Sequence, residues 1–262
     1  MTGVFKSITY KYTDSDKDDL VVVFPQAMQT SDDSKPVVSL LSELANVTFI
    51  ESGYYGITKL DSFNHSDSYS ISNFKTNLRE LLNKIPHKKL YLVAGSVGAI
   101  HALSFLETYP HEVAMVALAG PALYRNRGRF VNNLYKLFLW IGIVLYPDKY
   151  FEVMTHLFQS HPNTPWLRKI YKSVITKIGA KSFFLCLKEI VNFTSKNRSR
   201  LENMLSEKVY IFLGDNDDVF NYLCDKNLCS KAKSCQSVKF DHDSTINGAR
   251  KQIFNLLKAS II

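Results

Sequence analysis

Four short apolar runs constrain this chain more than anything else in it: LVVVF at 20–24, LYLV at 90–93, VAMVALA at 113–119 and VYIFL at 209–213. They lack polar alternation, so they suit strands buried on both faces. A strand of that kind belongs in a parallel sheet covered by helices on each side. Residues 46–51 (NVTFIE) and 238–240 add further strands, and the roughly alternating 4–12 (VFKSITYKY) suits an edge strand. Between the strands lie helix-period segments at 38–44, 73–84, 97–108 and 246–258, the second with Asn73 or Ser72 as its cap. Strands alternating with helices predict an α/β fold: a mostly parallel sheet with helices on both faces.

The alternation stops between residues 124 and 206, where the sequence is helical throughout. The economical reading is a core made of residues 1–123 and 207–262, with 124–206 inserted as an all-helical segment. That segment also carries the charge. The whole chain has a net charge of +8, but residues 124–208 hold 15 Lys or Arg against 5 Asp or Glu. The rest of the chain holds 17 against 19. A nucleic-acid binder of uniformly basic surface is excluded by this distribution, and no RRM, KH, zinc-finger or helix-turn-helix signature accompanies it.

With 46% apolar and 21% charged residues, a buried core is expected and disorder is not. The longest apolar run, LFLWIGIVLY at 137–146, is too short to span a bilayer, which needs about 20 residues. The opening MTGVFKSITYKY has no signal-peptide core, so a cytoplasmic protein is expected. The sequon Asn46-Val47-Thr48 is then idle. Four cysteines (Cys186, Cys224, Cys229, Cys235) form no CxxC pair, which disfavours zinc. Free thiols are the expectation in a reducing compartment, with a disulfide among Cys224, Cys229 and Cys235 left open by the sequence.

The chemistry concentrates at LYLVAGSVGAIHA, residues 90–102. An apparent strand turns abruptly into a helix with Ser96 at the turn. Such a turn forces its central residue toward strained backbone angles, and residues two positions away have to be small where helix and strand meet. Ala94 and Gly98 satisfy this, and Gly95 adds room. Ser96 then projects at the carboxyl end of the sheet, where open α/β sheets place their sites. The helix N-terminus behind it offers N–H groups to negative charge.

Ala94-Gly95-Ser96-Val97-Gly98 resembles the nucleophile elbow of the α/β-hydrolase fold family, with Ala for the usual first Gly. A serine hydroxyl needs a base, and the base an orienting acid. The resemblance implies that both follow later in the chain, acid before base. In VYIFLGDNDDVF the Gly-x-x-Asp position is Asp217, with Asp215 and Asp218 as competitors. The base falls 25 residues further on at His242, in VKFDHDSTINGARK. His101 is expected to pack beside the elbow helix; His65, His87 and His111 sit in loop-like sequence, and His156 and His161 in the insertion. Asp241 and Asp243 flank the base.

The resemblance also implies two N–H donors for an oxyanion: Val97, after the nucleophile, and Gln26, with Ala27 as the alternative. Here the chain departs from the family. Phe24-Pro25-Gln26 stands where His-Gly-x is usual, so a glycine's freedom is replaced by a proline. Gly53-Tyr54-Tyr55-Gly56 and the stretch HALSFLETYPHEVAMVALAGPAL agree with it, and the match covers 18–123 and 207–262. The inserted segment stands where the family has a helical cap, and its aromatic residues suit an apolar acyl pocket.

The expectation that follows is a serine hydrolase with a Ser96–Asp217–His242 triad, cleaving a carboxylic ester with an apolar acyl chain. It calls for no metal and no organic cofactor. Thioester or carbon–carbon bond hydrolysis and acyl transfer use the same apparatus, and a noncatalytic binding protein on the same scaffold is the rival from another class. The small-molecule acyl substrate is the partner expected first. The basic insertion suggests either peripheral contact with an anionic membrane or selection of an anionic substrate. Oligomeric state is left open.

Overall fold

A computed structural model describes residues 1–6, 8–26, 29, 31–52, 70–123, 137, 140–141, 180–217, 228–241 and 245–262. The chain begins with β1 (Thr2–Phe5), β2 (Ile8–Thr13), β3 (Leu20–Phe24), α1 (Lys35–Leu41) and β4 (Asn46–Ser52). Then come α2 (Ile71–Leu82), β5 (Leu90–Gly95), α3 (Gly98–Thr108) and β6 (Val113–Ala119). The last part contains α4 (Ala180–Asn203), α5 (Leu205–Lys208), β7 (Val209–Asn216), α6 (Leu228–Lys231), β8 (Ser234–Asp241), α7 (Thr245–Gly248) and α8 (Arg250–Ile261).

The strands form one sheet in the order β1-β2-β4-β3-β5-β6-β7-β8. From β4 to β8 every pairing is parallel, while β1 and β2 pair antiparallel with each other and β2 antiparallel with β4. The parallel, doubly covered sheet expected from the apolar runs is therefore present. Residues along β3 alternate between two cores. Leu20, Val22 and Phe24 pack with α2 and α3, while Val21 and Val23 pack with α1 and α8. All five residues of β3 are fully buried, which is why the run has no polar member. Helix α2 instead buries one stripe, Ile71, Phe74, Leu78, Leu81 and Leu82. Helix α3 is buried from Gly98 to Leu106, with α4 laying Ile190 and Leu201 into the same core.

Several boundaries differ from the sequence expectation. Residues 4–12 are two strands, because Lys6 takes φ 51° and folds β1 back on β2. Ser70, rather than Ser72 or Asn73, caps α2, its hydroxyl accepting from the Asn73 N–H at 3.3 Å. β5 and β7 run on to Gly95 and Asn216, and β8 starts at Ser234, because the neighbouring strand supplies hydrogen bonds to residues with little strand character. The closing helix is two pieces, α7 and α8, meeting at Ala249.

The cysteine expectation is corrected for one pair. Cys229 on α6 and Cys235 on β8 are joined by a disulfide, with Cα atoms 5.3 Å apart. The short turn from α6 into β8 brings them within bridging distance, which spacing alone does not reveal. Most of the insertion, and the loop at 53–69 with Gly53-Tyr54-Tyr55-Gly56, lie outside the described residues. Among the described residues no helix is long and apolar enough to cross a membrane, and no His, Cys, Asp and Glu cluster could hold a metal.

Candidate active site

The sheet order places the site. From β3 the chain moves outward to β4, then crosses back to lay β5 on the other side of β3. The loops leaving β3 and β5 therefore diverge, which is where open α/β sheets form a crevice at their carboxyl ends. Phe24 pairs with Ala94, so the two loops start level: Pro25-Gln26 from β3, and Ser96 from β5.

Ser96 has φ 47°, a left-handed conformation that side chains with a Cβ rarely take, and it is buried. Its backbone is tied on both sides. The N–H donates to the Ala119 carbonyl at 3.1 Å, and its carbonyl accepts from Ala99 at 3.1 Å and Ala122 at 3.0 Å. The Ala119 and Ala122 bonds tie the strained turn to the end of β6, and the Ala99 bond ties it to α3. A Cβ on Gly98 would stand 2.5 Å from the Phe24 carbonyl oxygen and 2.7 Å from that of Pro25. Gly95 is as constrained, since a Cβ there would lie 2.5 Å from Thr245 Oγ1 and 2.8 Å from Ile246 Cγ1. Sequence reading treats Gly95 as spare room; the packing of α7 makes it a requirement.

Val97 precedes α3 at φ −64° and is buried. Its N–H belongs to the first turn, where a helix has no acceptor of its own. Gln26 is buried as well; its carbonyl accepts from the Gln29 N–H at 3.2 Å, and its Oε1 accepts from the Thr245 hydroxyl at 2.5 Å. Ala27, the alternative donor, lies outside the described residues.

Asp217 follows β7 directly and is 1% exposed. Its N–H closes a turn onto the Gly214 carbonyl at 3.1 Å. The carboxylate packs against Gly120, at the end of β6, where a Cβ would come within 2.6 Å of Oδ2. Gly120 has φ 51° and donates to the Phe212 carbonyl at 2.9 Å, so a glycine is needed there for both backbone and space. Of the two competitors, Asp215 is exposed and accepts a hydrogen bond from the Ser237 hydroxyl, and Asp218 lies outside the described residues. His242 also lies outside them, between Asp241 at the end of β8 and Thr245 at the start of α7.

Ser96, Val97, Gln26 and Asp217 thus all lie at the carboxyl ends of β3, β5 and β7. Thr245 and Gly120 are the two residues that sequence reading missed. Gly120 had a signal, a glycine immediately after an apolar run; Thr245 had none, because its partner Gln26 is 219 residues away. His101 belongs to the core: its ring meets Phe74 edge-on with centroids 4.7 Å apart, and burial pushes its pKa down to about 3. A groove of about 620 Å³ lies between α2, α3 and α4, at the far end of α3 from Ser96, lined by Lys75, Glu107, Glu189 and Arg200 among others.

Comparison with known proteins supports the fold and gives the family. Residues 60–243 match the serine aminopeptidase S33 family. No match was found among curated proteins. Solved structures superimpose over nearly the whole chain. Epoxide hydrolase A from Mycobacterium thermoresistibile has a TM-score of 0.69 at 13% identity, covering 100% of this chain and 96% of that one. A serine hydrolase from Cycloclasticus zankles gives 0.68 at 15%, covering 99% and 96%. A carboxylesterase structure from Nitrososphaera gargenis gives 0.62 at 15%, also covering 99% and 96%. At these identities the structures speak for the fold, while the family match spans most of the chain: the protein belongs to the serine aminopeptidase S33 family of α/β-hydrolases.

Proposed function

We propose that this protein is a serine hydrolase that cleaves a carboxylic ester with a fairly apolar acyl group through an acyl-enzyme. The observation that carries the reading is the left-handed, doubly tethered Ser96 at the crevice between β3 and β5. Ser96 Oγ attacks the acyl carbon while His242 takes its proton, then hands that proton to the departing alcohol. Asp217 orients the imidazole and stabilises its cation. The N–H groups of Val97 and Gln26 hold the oxyanion, and loss of one such donor typically costs about 3 kcal/mol in the barrier. Water, activated by His242, then attacks the acyl-enzyme and releases the acid and Ser96. In the same reading the helical insertion at 124–206 is the cap segment, of which α4 packs into the core beside α3, and no metal or organic cofactor takes part.

Labelling with a fluorophosphonate, with the modified peptide mapped by mass spectrometry, tests this. The expected result is one modified residue, Ser96, with labelling lost in Ser96→Ala and much weakened in His242→Ala. A screen of esters, thioesters and aminoacyl amides then assigns the bond, the amides because of the family's aminopeptidase description. Preference for an anionic thioester over a neutral ester would shift the assignment to the alternative that the basic insertion supports. Folded protein that takes no label would favour a noncatalytic binding protein, with Pro25 in place of the usual glycine as the cause.

A further inference from the structure

An oxyanion site works only if its donors are fixed before the reaction, because the charge develops in place and donors that have to move contribute less. Val97 is fixed by α3. The Gln26 donor sits on the loop after β3, which several contacts hold. The Phe24 and Pro25 carbonyls rest against Gly98, the Gln26 carbonyl closes a turn with Gln29, and the Gln26 side chain accepts from Thr245. The Thr245–Gln26 bond reaches from the loop to α7, which the Asn247 side chain also joins to it by donating to the Asp33 carbonyl at 2.8 Å.

Thr245 is fully buried and Gln26 nearly so, which shields their bond from competing water. The same side chain touches two further parts of the site. Its Oγ1 occupies the space over Gly95, the residue before the nucleophile, and its Cγ2 lies 3.0 Å from where a Gly120 Cβ would stand, beside the Asp217 carboxylate. One threonine thus bears on the elbow, the loop after β3 and the strand end that supports the acid.

We propose that Thr245 is a positioning residue that holds the Gln26 N–H in register with Val97 through its hydrogen bond to the Gln26 side chain. It touches no reacting atom. The inference rests on the Ser96 hydrolase reading. Thr245→Val keeps the shape and removes the donor; Thr245→Ser keeps the donor. The expected result is a fall in kcat, and in the rate of fluorophosphonate labelling, of about 10-fold for Thr245→Val, since small misplacements of reacting groups carry penalties of that order. KM and the pH profile stay near wild type, and Thr245→Ser restores most of the rate. Gln26→Met, which leaves the backbone N–H and removes the acceptor, gives the same loss, and the double variant is no worse than either single one.

Wild-type rates in a folded Thr245→Val or Gln26→Met overturn the inference while leaving the hydrolase reading intact. So does an effect confined to thermal stability. Should Thr245→Val fail to fold, Gln26→Met decides alone. A wild-type protein that takes no label overturns both.

Discussion

At the scale of single residues, the chain accepts unfavourable conformations and environments in a few places. Ser96 holds φ 47° without being glycine, and three backbone bonds around it fix that state. His101 sits wholly inside the core one helical turn further on, its pKa lowered from 6.5 to about 3 by burial. The unfolded chain protonates His101 below about pH 6.5, and the folded protein resists protonation down to about pH 3. Between those values the unfolded state binds the extra proton, so stability falls as pH falls. From pH 7 to pH 5 this one group should remove about 2 kcal/mol. Urea unfolding of His101→Leu at the two pH values should show a loss smaller than wild type by that amount. Equal losses in the two proteins would show that His101 does not control acid sensitivity. That Ser96, Asp217 and Gln26 follow apolar runs was legible in the sequence; the roles of Asp217 and Gln26 come only from the family resemblance. Thr245 was not, because nothing local marks a hydrogen bond made across 219 positions.

Between elements, the site depends on how closely α3 meets the end of β3. The Phe24 and Pro25 carbonyls occupy the space where a side chain on Gly98 would begin. These are backbone atoms and cannot rotate aside. Gly98→Ala should therefore push the β3 loop and α3 apart, at a cost of about 2 kcal/mol, the usual range for overpacking. A lower urea midpoint with an unchanged slope would be the signature, along with slower labelling of Ser96 as the Gln26 loop moves. A variant as stable as wild type would mean that the contact has slack. Element types followed from pattern, since β-branched runs buried on both faces have few alternatives. Element ends did not. Gly95 extends β5 because β6 pairs with it, and Lys6 breaks the first strand because β1 folds back on β2. At the join into β7, the Lys208 ammonium donates to the Pro110 and Val113 carbonyls at 2.8 Å each, another long-range tie without a local signature.

Across the whole molecule, charge is divided unevenly along the chain. Residues 124–208 carry 15 basic and 5 acidic residues, against 17 and 19 elsewhere. Within that segment Leu137 and Trp140 are exposed, two large apolar side chains three positions apart. We extend the functional proposal to peripheral contact with an anionic membrane, in which basic residues draw the protein to the surface and apolar ones enter its edge. Vesicles containing phosphatidylserine should bind the protein more strongly than neutral ones. That preference should weaken as salt is raised, and Trp140→Ser should reduce binding. Equal binding to both vesicle types would end this idea and leave the basic segment to substrate selection or solvation.

What the sequence determined alone was the class of fold and the place of Ser96 at a strand-to-helix turn. Short apolar runs cannot remain in water, and their burial requires a covered parallel sheet. A small-residue turn leaves Ser96 at such a sheet's carboxyl edge. What only the tertiary structure decided was which distant positions meet. Strand order puts the loops after β3 and β5 on either side of one crevice. Packing of α7 against β5 makes Gly95 obligatory and brings Thr245 to Gln26, and the turn from α6 to β8 brings Cys229 to Cys235. The physical reason is range: hydrophobic periodicity is written over a few neighbouring residues, whereas contacts between loops exist only once the sheet has been assembled.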